Sequence, residues 1–169
     1  MVWYVLLIVA VACERLAELV VSQRNLAWSR ARGGVEFGVG HYPVMVALHS
    51  GLLAACLVEA IALHRPFIPA LGCVMLAIVL AAQALRWWCI GTLGRQWNTR
   101  VVVVPGAACV AGGPYPFLAH PNYVAVVAEG AALPLVHTAW ITALVFSVLN
   151  AALLTTRIKV ENAALASLT

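Results

Sequence analysis

Long blocks of mostly apolar residues constrain this chain more than any other sequence feature. Residues 42–63 and 67–90 are each long enough for an α-helix to cross a bilayer, which takes roughly 20 residues. Apolar residues make up 64% of the chain and charged residues 9%, whereas roughly a quarter of a soluble domain is charged. A water-soluble core cannot hold this excess, so the sequence predicts an all-α integral membrane protein.

The apolar blocks predict about five membrane-spanning helices in a single domain covering residues 1–169. Residues 22–41 and 91–119 are polar connections whose Gly and Pro residues interrupt any long helix. The last two spans are short and form a helical hairpin that either crosses the bilayer twice or leans within it. Residues 157–169 are expected to continue the last helix as an amphipathic tail. The predicted spans are residues 2–21, 42–63, 67–90, 121–135 and 139–156.

Basic residues are distributed unequally between the two ends of these spans. Seven of them lie in the two polar connections and the tail, against Arg65 alone in the opposite connections. The positive-inside rule places the seven in the cytoplasm and the N-terminus outside, as expected for a bacterial inner membrane. Although the net charge is +4, the sequence has no basic stripe with stacking aromatics, so a nucleic-acid partner is not expected.

Ionisable residues inside the predicted spans are the next candidates for function. Glu14, Arg15 and Glu18 either reach the membrane interface or face inward at the mouth of a site. Glu129 is either a hydrogen-bonded packing residue or a functional group with a partner. His49 and Glu59 in the second span raise the same question. The five cysteines show no CxxC or Cys/His zinc spacing, so no metal site is expected.

Polar elements converge on the cytoplasmic side at the start of the fourth helix and the end of the fifth. Pro121 suits a first helical position, so His120 lies at the helix start, where free backbone N–H groups favour an anion. Arg157 and Glu161, four residues apart, either form a mutual salt bridge or serve two ligands in one pocket. In the second case the arginine would bind a carboxylate or enolate, and the glutamate an ammonium or ribose hydroxyls.

A composite motif covers the same region. It comprises Tyr-Pro-Phe-Leu-Ala-His-Pro-Asn-Tyr at residues 115–123, a short hairpin, and Arg-Ile-Lys-Val-Glu-Asn at residues 157–162. It resembles the isoprenylcysteine carboxyl methyltransferase family. With Glu-Arg-Leu-Ala-Glu at residues 14–18 and His-Tyr-Pro at residues 41–43, the chain is most similar to the short bacterial branch. Members of that branch resemble O-methyltransferases that act on alkylpyrones or alkylresorcinols.

The resemblance implies S-adenosylmethionine as the cofactor and no metal. It assigns Arg157 to the substrate and leaves the catalytic residue unassigned. It assigns cofactor binding to residues of the second polar connection, the fourth helix and the tail, namely Ala107, Ala108, Cys109, Val110, Tyr115, His120, Pro121, Asn122, Tyr123 and Glu161.

The chain departs from the family pattern at two positions. The family usually has arginine before the His-Pro pair and two consecutive glutamates after the hairpin, and this chain has Ala119 and Asn162. An amide keeps hydrogen-bonding capacity without the charge, and alanine keeps neither. A reduced affinity for the cofactor, or an inactive family member, would follow if these positions contribute to binding.

The resemblance therefore predicts O-methylation of a carboxyl, phenol or enol oxygen on a lipophilic substrate at the membrane–cytosol interface. Two alternatives are an NADPH-dependent lipid or sterol-type reductase and a non-catalytic membrane protein. Reductases can carry His-Pro-Asn-Tyr, but theirs tends to continue with Gly-Glu two positions later, where this chain has Ala125 and Val126. A transport path would need polar residues through the midplane, whereas here they cluster on one side.

The predicted orientation can be tested by thiol labelling in intact cells. Cys109 lies in the connection assigned to the cytoplasm, so a membrane-impermeant maleimide should label it only after the cells are permeabilised. A variant that keeps Cys109 as its one cysteine gives an unambiguous signal. Labelling of that variant from outside intact cells would contradict the orientation.

Overall fold

Five α-helices, two short 3-10 helices (Val39–His41 and Gly94–Gln96) and one short sheet are the regular elements of the described residues, 1–108 and 110–166, of the computed structural model. Three segments are long and apolar enough to cross a membrane, Val39–Ala62, Pro69–Gln96 and Trp140–Ala166. The chain is therefore a mostly helical membrane protein. Its helices are α1 (Val2–Arg30), α2 (Tyr42–Ala62), α3 (Pro69–Leu93), α4 (Pro121–Leu135) and α5 (Trp140–Ala166).

The other two helices differ from the three candidate spans for separate reasons. α1 has 29 residues, but Glu14, Arg15 and Glu18 lie near its middle and lower its hydropathy. α4 is apolar but has 15 residues, a length of about 22 Å against a hydrocarbon core of about 30 Å. α4 and α5 pack as an antiparallel hairpin whose turn includes Thr138 at φ 54°.

The first polar connection is more ordered than its sequence indicates. α1 continues to Arg30, so residues 22–30, predicted as a loop, are helical. The helix ends where Gly33 adopts φ 75°. Beyond it, β1 (Val35–Phe37) pairs antiparallel with β2 (Val101–Val103), so an all-α description omits a small sheet. Three-residue strands are too short to show a period-2 pattern.

Glu59 caps a helix on the side opposite the motif residues. Its carboxylate accepts hydrogen bonds from the backbone N–H groups of Ile141 (3.2 Å) and Thr142 (2.7 Å) in the first turn of α5. Arg65 lies 2.8 Å from the same carboxylate. A negative charge at a helix N-terminus satisfies free donors and complements the helix dipole. Glu59 therefore has a structural role at the start of α5, as a hydrogen-bonded packing residue with Arg65 as its partner.

A buried ion cluster joins α1, α3 and α4. The Arg86 guanidinium, 5% exposed, donates to the Glu129 carboxylate, and its Nε lies 3.4 Å from Glu18. Arg15 donates to Glu18 at 2.8 Å and to Gln83 at 2.7 Å. Glu18 is 4% exposed, so the interface alternative for Arg15 and Glu18 is wrong: these side chains face inward. Glu129 likewise has its partner.

Breaking this cluster on one side should destabilise the bundle. Arg86→Met would leave Glu129 buried without its main counter-charge, which costs about 3–5 kcal/mol of unfolding free energy. Arg32→Met is the matched control, because Arg32 is exposed and contacts the Trp28 ring. Unfolding both variants in mixed micelles measures the difference. Equal unfolding free energies would show that the cluster does not hold the helices together.

Candidate active site

The start of α4 and the end of α5 bring three motif side chains together. The Tyr123 hydroxyl donates a hydrogen bond to the Glu161 carboxylate. His120, just before the first helical residue Pro121, has its Nδ1 3.7 Å from the other Glu161 oxygen. The His120 and Tyr123 rings lie 5.5 Å apart between centroids. Because Pro121 fixes where α4 begins, His120 and Tyr123 are held on one side of its first turn.

These side chains line a polar cavity of about 140 Å³ at the motif end of the bundle. The described residues Ala107, Ala108 and Val110, assigned to the cofactor by resemblance, lie outside its lining, and Cys109 lies outside the described residues. Ala108 adjoins it, since its carbonyl accepts a 3.2 Å hydrogen bond from the lining residue Gln96. Besides His120, Tyr123, Glu161 and Gln96, the lining comprises the polar or motif residues Trp97, Asn98, Arg100, Tyr115, Ala119, Pro121, Asn122 and Arg157 and the apolar residues Leu93, Val101, Val102, Val103 and Leu165.

Arg157 is held away from Glu161. Its Nη2 donates to the Thr99 carbonyl at 2.8 Å, its Nη1 contacts the Met45 sulfur, and its guanidinium carbon lies 5.8 Å from the Tyr123 ring centroid. Arg157 and Glu161 therefore have different partners and do not form a mutual salt bridge, and the two-ligand alternative stays a prediction. Arg157 is 5% exposed, and its Nε has no hydrogen-bond partner among the described residues.

A larger cavity of about 350 Å³ lies between the helices beside the polar one. Apolar side chains from α1, α2, α4 and α5 form most of its wall. Phe146 and Gly130 close one part, since a Cβ at Gly130 would come within 2.0 Å of the Phe146 ring. Four residues line both cavities, and they form the boundary between the two spaces: Trp97, Asn122, Tyr123 and Arg157.

Unpaired polar atoms concentrate around the larger cavity. Among the described residues, eight buried side-chain nitrogen or oxygen atoms have no hydrogen-bond partner, and seven belong to residues of this lining. Two of the seven, Arg86 Nε and Glu18 Oε1, face each other at 3.4 Å in the ion cluster, which leaves five without a partner in the part of the chain that the structure describes. Buried polar atoms without partners are rare, so they indicate groups that a ligand or water completes. They include the Asn122 and Asn150 side-chain oxygens and the Arg157 Nε.

The segment that carries Trp97 and Thr99 is fixed by polar residues of α1. The Asn25 amide donates to the carbonyls of Gly94 (3.0 Å) and Trp97 (2.7 Å). The Ser22 hydroxyl bonds to Asn98 and accepts from the Thr99 N–H at 3.1 Å. These contacts were not predicted from the sequence. The available signal is that the buried polar residues of α1 recur at helical spacing, which indicates a polar stripe facing the protein interior.

Two groups outside the spans complete the rim of the polar cavity. Burial raises the pKa of Tyr115, so its hydroxyl stays a neutral donor. A hydrogen bond to Glu36 raises the pKa of Arg100, whose guanidinium also lies 4.0 Å from the Tyr42 ring centroid. The pairing of Glu36 with Arg100 ties the two strands together next to the cavity.

Similarity to known proteins identifies the family of this chain. The model of the isoprenylcysteine carboxyl methyltransferase family matches residues 75–167, more than half of the chain. This chain belongs to that family. The resemblance to the family is thereby confirmed, whereas the resemblance to the branch that acts on alkylpyrones or alkylresorcinols stays a prediction. Membership supports a membrane methyltransferase.

Full-length relatives extend the similarity to α1 and α2. An uncharacterised protein of Bacillus subtilis (strain 168), YpbQ, is 37% identical over 161 residues, covering 95% of each chain. An uncharacterised protein of Haemophilus influenzae (strain Rd) is 26% identical over 155 residues, covering 91% of this chain and 90% of the relative. No solved structure matches significantly.

The two departures from the isoprenylcysteine carboxyl methyltransferase pattern lie in different settings. Ala119 lines the polar cavity, so a larger basic side chain there would occupy part of it. Asn162 is exposed and outside the lining, although the adjacent Glu161 is part of it. Loss of the second carboxylate therefore removes charge near the cavity but leaves the Glu161 contacts in place.

Proposed function

We propose that this protein transfers the methyl group of S-adenosylmethionine to an oxygen of a lipophilic substrate. One observation carries the proposal: a polar cavity containing the family motif adjoins a larger apolar cavity between the helices. A water-soluble donor and a membrane-soluble acceptor need such adjacent spaces. The polar end lies on the side that the positive-inside rule assigns to the cytoplasm.

The residues of the polar cavity fit the chemistry of the donor. Its ammonium and ribose hydroxyls are hydrogen-bond donors, and the cavity offers the Glu161 carboxylate and the unpaired Asn122 oxygen as acceptors. Tyr123 and His120 hold that carboxylate in position. The Ala108 carbonyl accepts a hydrogen bond from the lining residue Gln96, and the stretch assigned by resemblance, residues 107–110, is proposed to contact the remainder of the molecule. When bound, the donor supplies an electrophilic methyl group.

Arg157 is suited to the acceptor. Its unpaired Nε and its position at the boundary let it bind an anionic oxygen while the aliphatic part of the substrate occupies the larger cavity. Alignment of two reactants and exclusion of water account for large rate gains without a covalent intermediate. The acceptor class we propose is an alkylpyrone or alkylresorcinol, in keeping with the branch that the N-terminal motifs resemble.

Binding measurements test the proposed donor directly. Purified protein in detergent should bind S-adenosylmethionine with a Kd in the micromolar range, about −8 kcal/mol. Isothermal calorimetry with S-adenosylmethionine, its demethylated product and NADPH compares the alternatives. Binding of NADPH without binding of either sulfur compound would favour the reductase.

Substitutions of Arg157 and Glu161, one helical turn apart on α5, should impair the binding of different ligands. Glu161→Ala removes a charged acceptor from the polar cavity, so we expect a loss of about 1.5–3 kcal/mol, or roughly ten- to a hundredfold in donor Kd. Arg157→Ala should raise the KM for the lipid and leave donor Kd nearly unchanged. Calorimetry and lipid titrations of turnover measure the two constants separately.

Lys159→Ala is the matched control, because Lys159 lies between them on α5 and is exposed. It should leave both constants unchanged. Asn162→Glu restores the usual second carboxylate of the family and should maintain or tighten donor binding if the tail lines the site. Equal, small effects of Arg157→Ala and Glu161→Ala would contradict the site.

A further inference from the structure

The larger cavity contains several ionisable groups, but most are already neutralised by one another. Glu18 and Glu129 are each paired with Arg15 and Arg86 in the ion cluster. The oxygens of both carboxylates already face guanidinium nitrogens, with Arg15 at 2.8 Å from Glu18 and 3.4 Å from Glu129, and Arg86 at 3.4 Å from Glu18. These oxygens are therefore occupied by partners of the cluster.

His49 is the exception in the lining. Its Nδ1 lies 2.9 Å from the Met45 carbonyl oxygen, one helical turn earlier in α2. A carbonyl oxygen only accepts, so Nδ1 carries the proton and Nε2 of the neutral ring has a free lone pair. Nε2 has no hydrogen-bond partner among the described residues.

Two contacts fix the orientation of this ring. The Met45 carbonyl holds one edge, and the Phe146 ring packs perpendicular to it at 5.4 Å between centroids. Met45 also contacts Arg157, the residue proposed to bind the acceptor oxygen. His49 thus lies one turn of α2 deeper than that contact, and both His49 and Arg157 line the same cavity.

We propose that His49 is the general base that removes the proton of a hydroxyl acceptor in this cavity. The inference rests on the proposed methyl transfer and specifies its substrate as a phenol, such as an alkylresorcinol, rather than a carboxylate or an acidic enol. A carboxylate or an acidic enol arrives ionised and needs no base. A phenol entering an apolar cavity is protonated, and Arg157 can stabilise its anion but cannot accept its proton.

Proton transfer to His49 accompanies methyl transfer to the same oxygen. The acceptor O–H bond breaks and its proton goes to His49 Nε2, while an oxygen lone pair forms a bond to the methyl carbon. The bond between that carbon and sulfur breaks, and its electron pair stays on sulfur. The products are a methyl ether, a neutral thioether and an imidazolium, which afterwards returns its proton to water.

His49→Asn separates proton transfer from packing. The asparagine amide can still donate to the Met45 carbonyl but has no counterpart of Nε2. General-base removal should lower kcat for an alkylresorcinol by about a hundredfold or more, with KM for S-adenosylmethionine unchanged. Turnover of a long-chain carboxylic acid, if accepted, should be little affected. His137→Asn is the matched control, because His137 is also buried but packs against Tyr4 at 5.0 Å, away from the cavity lining.

The pH dependence gives a second readout. With wild-type protein, turnover of the phenol should fall as the pH is lowered and His49 becomes protonated, and His49→Asn should lose this limb. The other titratable or charged groups that line the cavity are retained in both proteins: Arg15, Glu18, Arg86, Tyr123, Glu129 and Arg157.

A binding experiment without the methyl donor tests the same group. The probe is a 7-hydroxycoumarin with an alkyl chain, whose phenolate absorbs at longer wavelength than the phenol. At equal occupancy, wild-type protein should hold a larger phenolate fraction than His49→Asn. Equal fractions in the two proteins would overturn the role of His49.

The remaining outcomes separate the two proposals. If His49→Asn methylates the phenol as fast as the wild-type protein does, the role of His49 as base is overturned and the proposed methyl transfer stands. An equal loss of kcat with the phenol and with the carboxylate in His49→Asn would also overturn the role of His49. So would a wild-type protein that methylates carboxylates but no hydroxyl acceptor. Wild-type protein that binds no S-adenosylmethionine and methylates no acceptor would overturn both the proposed function and this inference.

Discussion

The contact between the Arg86 guanidinium and the Glu129 carboxylate controls how the bundle can assemble. Within hydrocarbon neither charge can be left alone, so α3 and α4 have one acceptable register with respect to each other. Arg15 and Glu18 extend the same constraint to α1. Because these helices also form walls of the larger cavity, the interaction that assembles the bundle sets the position of the walls that a substrate would meet.

The first turn of α4 is where the two cavities meet, and its geometry explains how so short a chain separates two ligands. Asn122 and Tyr123 are consecutive, about 100° apart around the helix axis, and both line the two spaces. On α5, Arg157 and Glu161 share a face but have different partners on either side of the boundary. The first turn of α4, the end of α5 and Trp97 from the connection after α3 therefore form the partition.

Much of the fold follows from local sequence, and the exceptions share a cause. Apolar blocks predict α2, α3 and α5 because lipid contact requires continuous apolar surface, and Pro121 marks the start of α4. The motif residues meet because the hairpin returns the chain to the same side. In contrast, residues 22–30 are helical because Ser22 and Asn25 bond to residues 94–99, roughly 70 positions away. The role of Glu59 likewise depends on α5, far along the chain, and the local sequence does not identify a partner at such a distance.

The shortness of α4 affects the membrane itself. A helix of about 22 Å cannot match a hydrocarbon layer of about 30 Å, so lipids that pack against its exposed residues Val124 and Val127 must thin or tilt to cover it. Such a dip in one leaflet brings headgroups and water down to the level of His120. A polar molecule then travels a shorter distance to the boundary residues, and an amphiphile is tilted as it approaches them. The protein is thus expected to accumulate in thinner regions of its membrane.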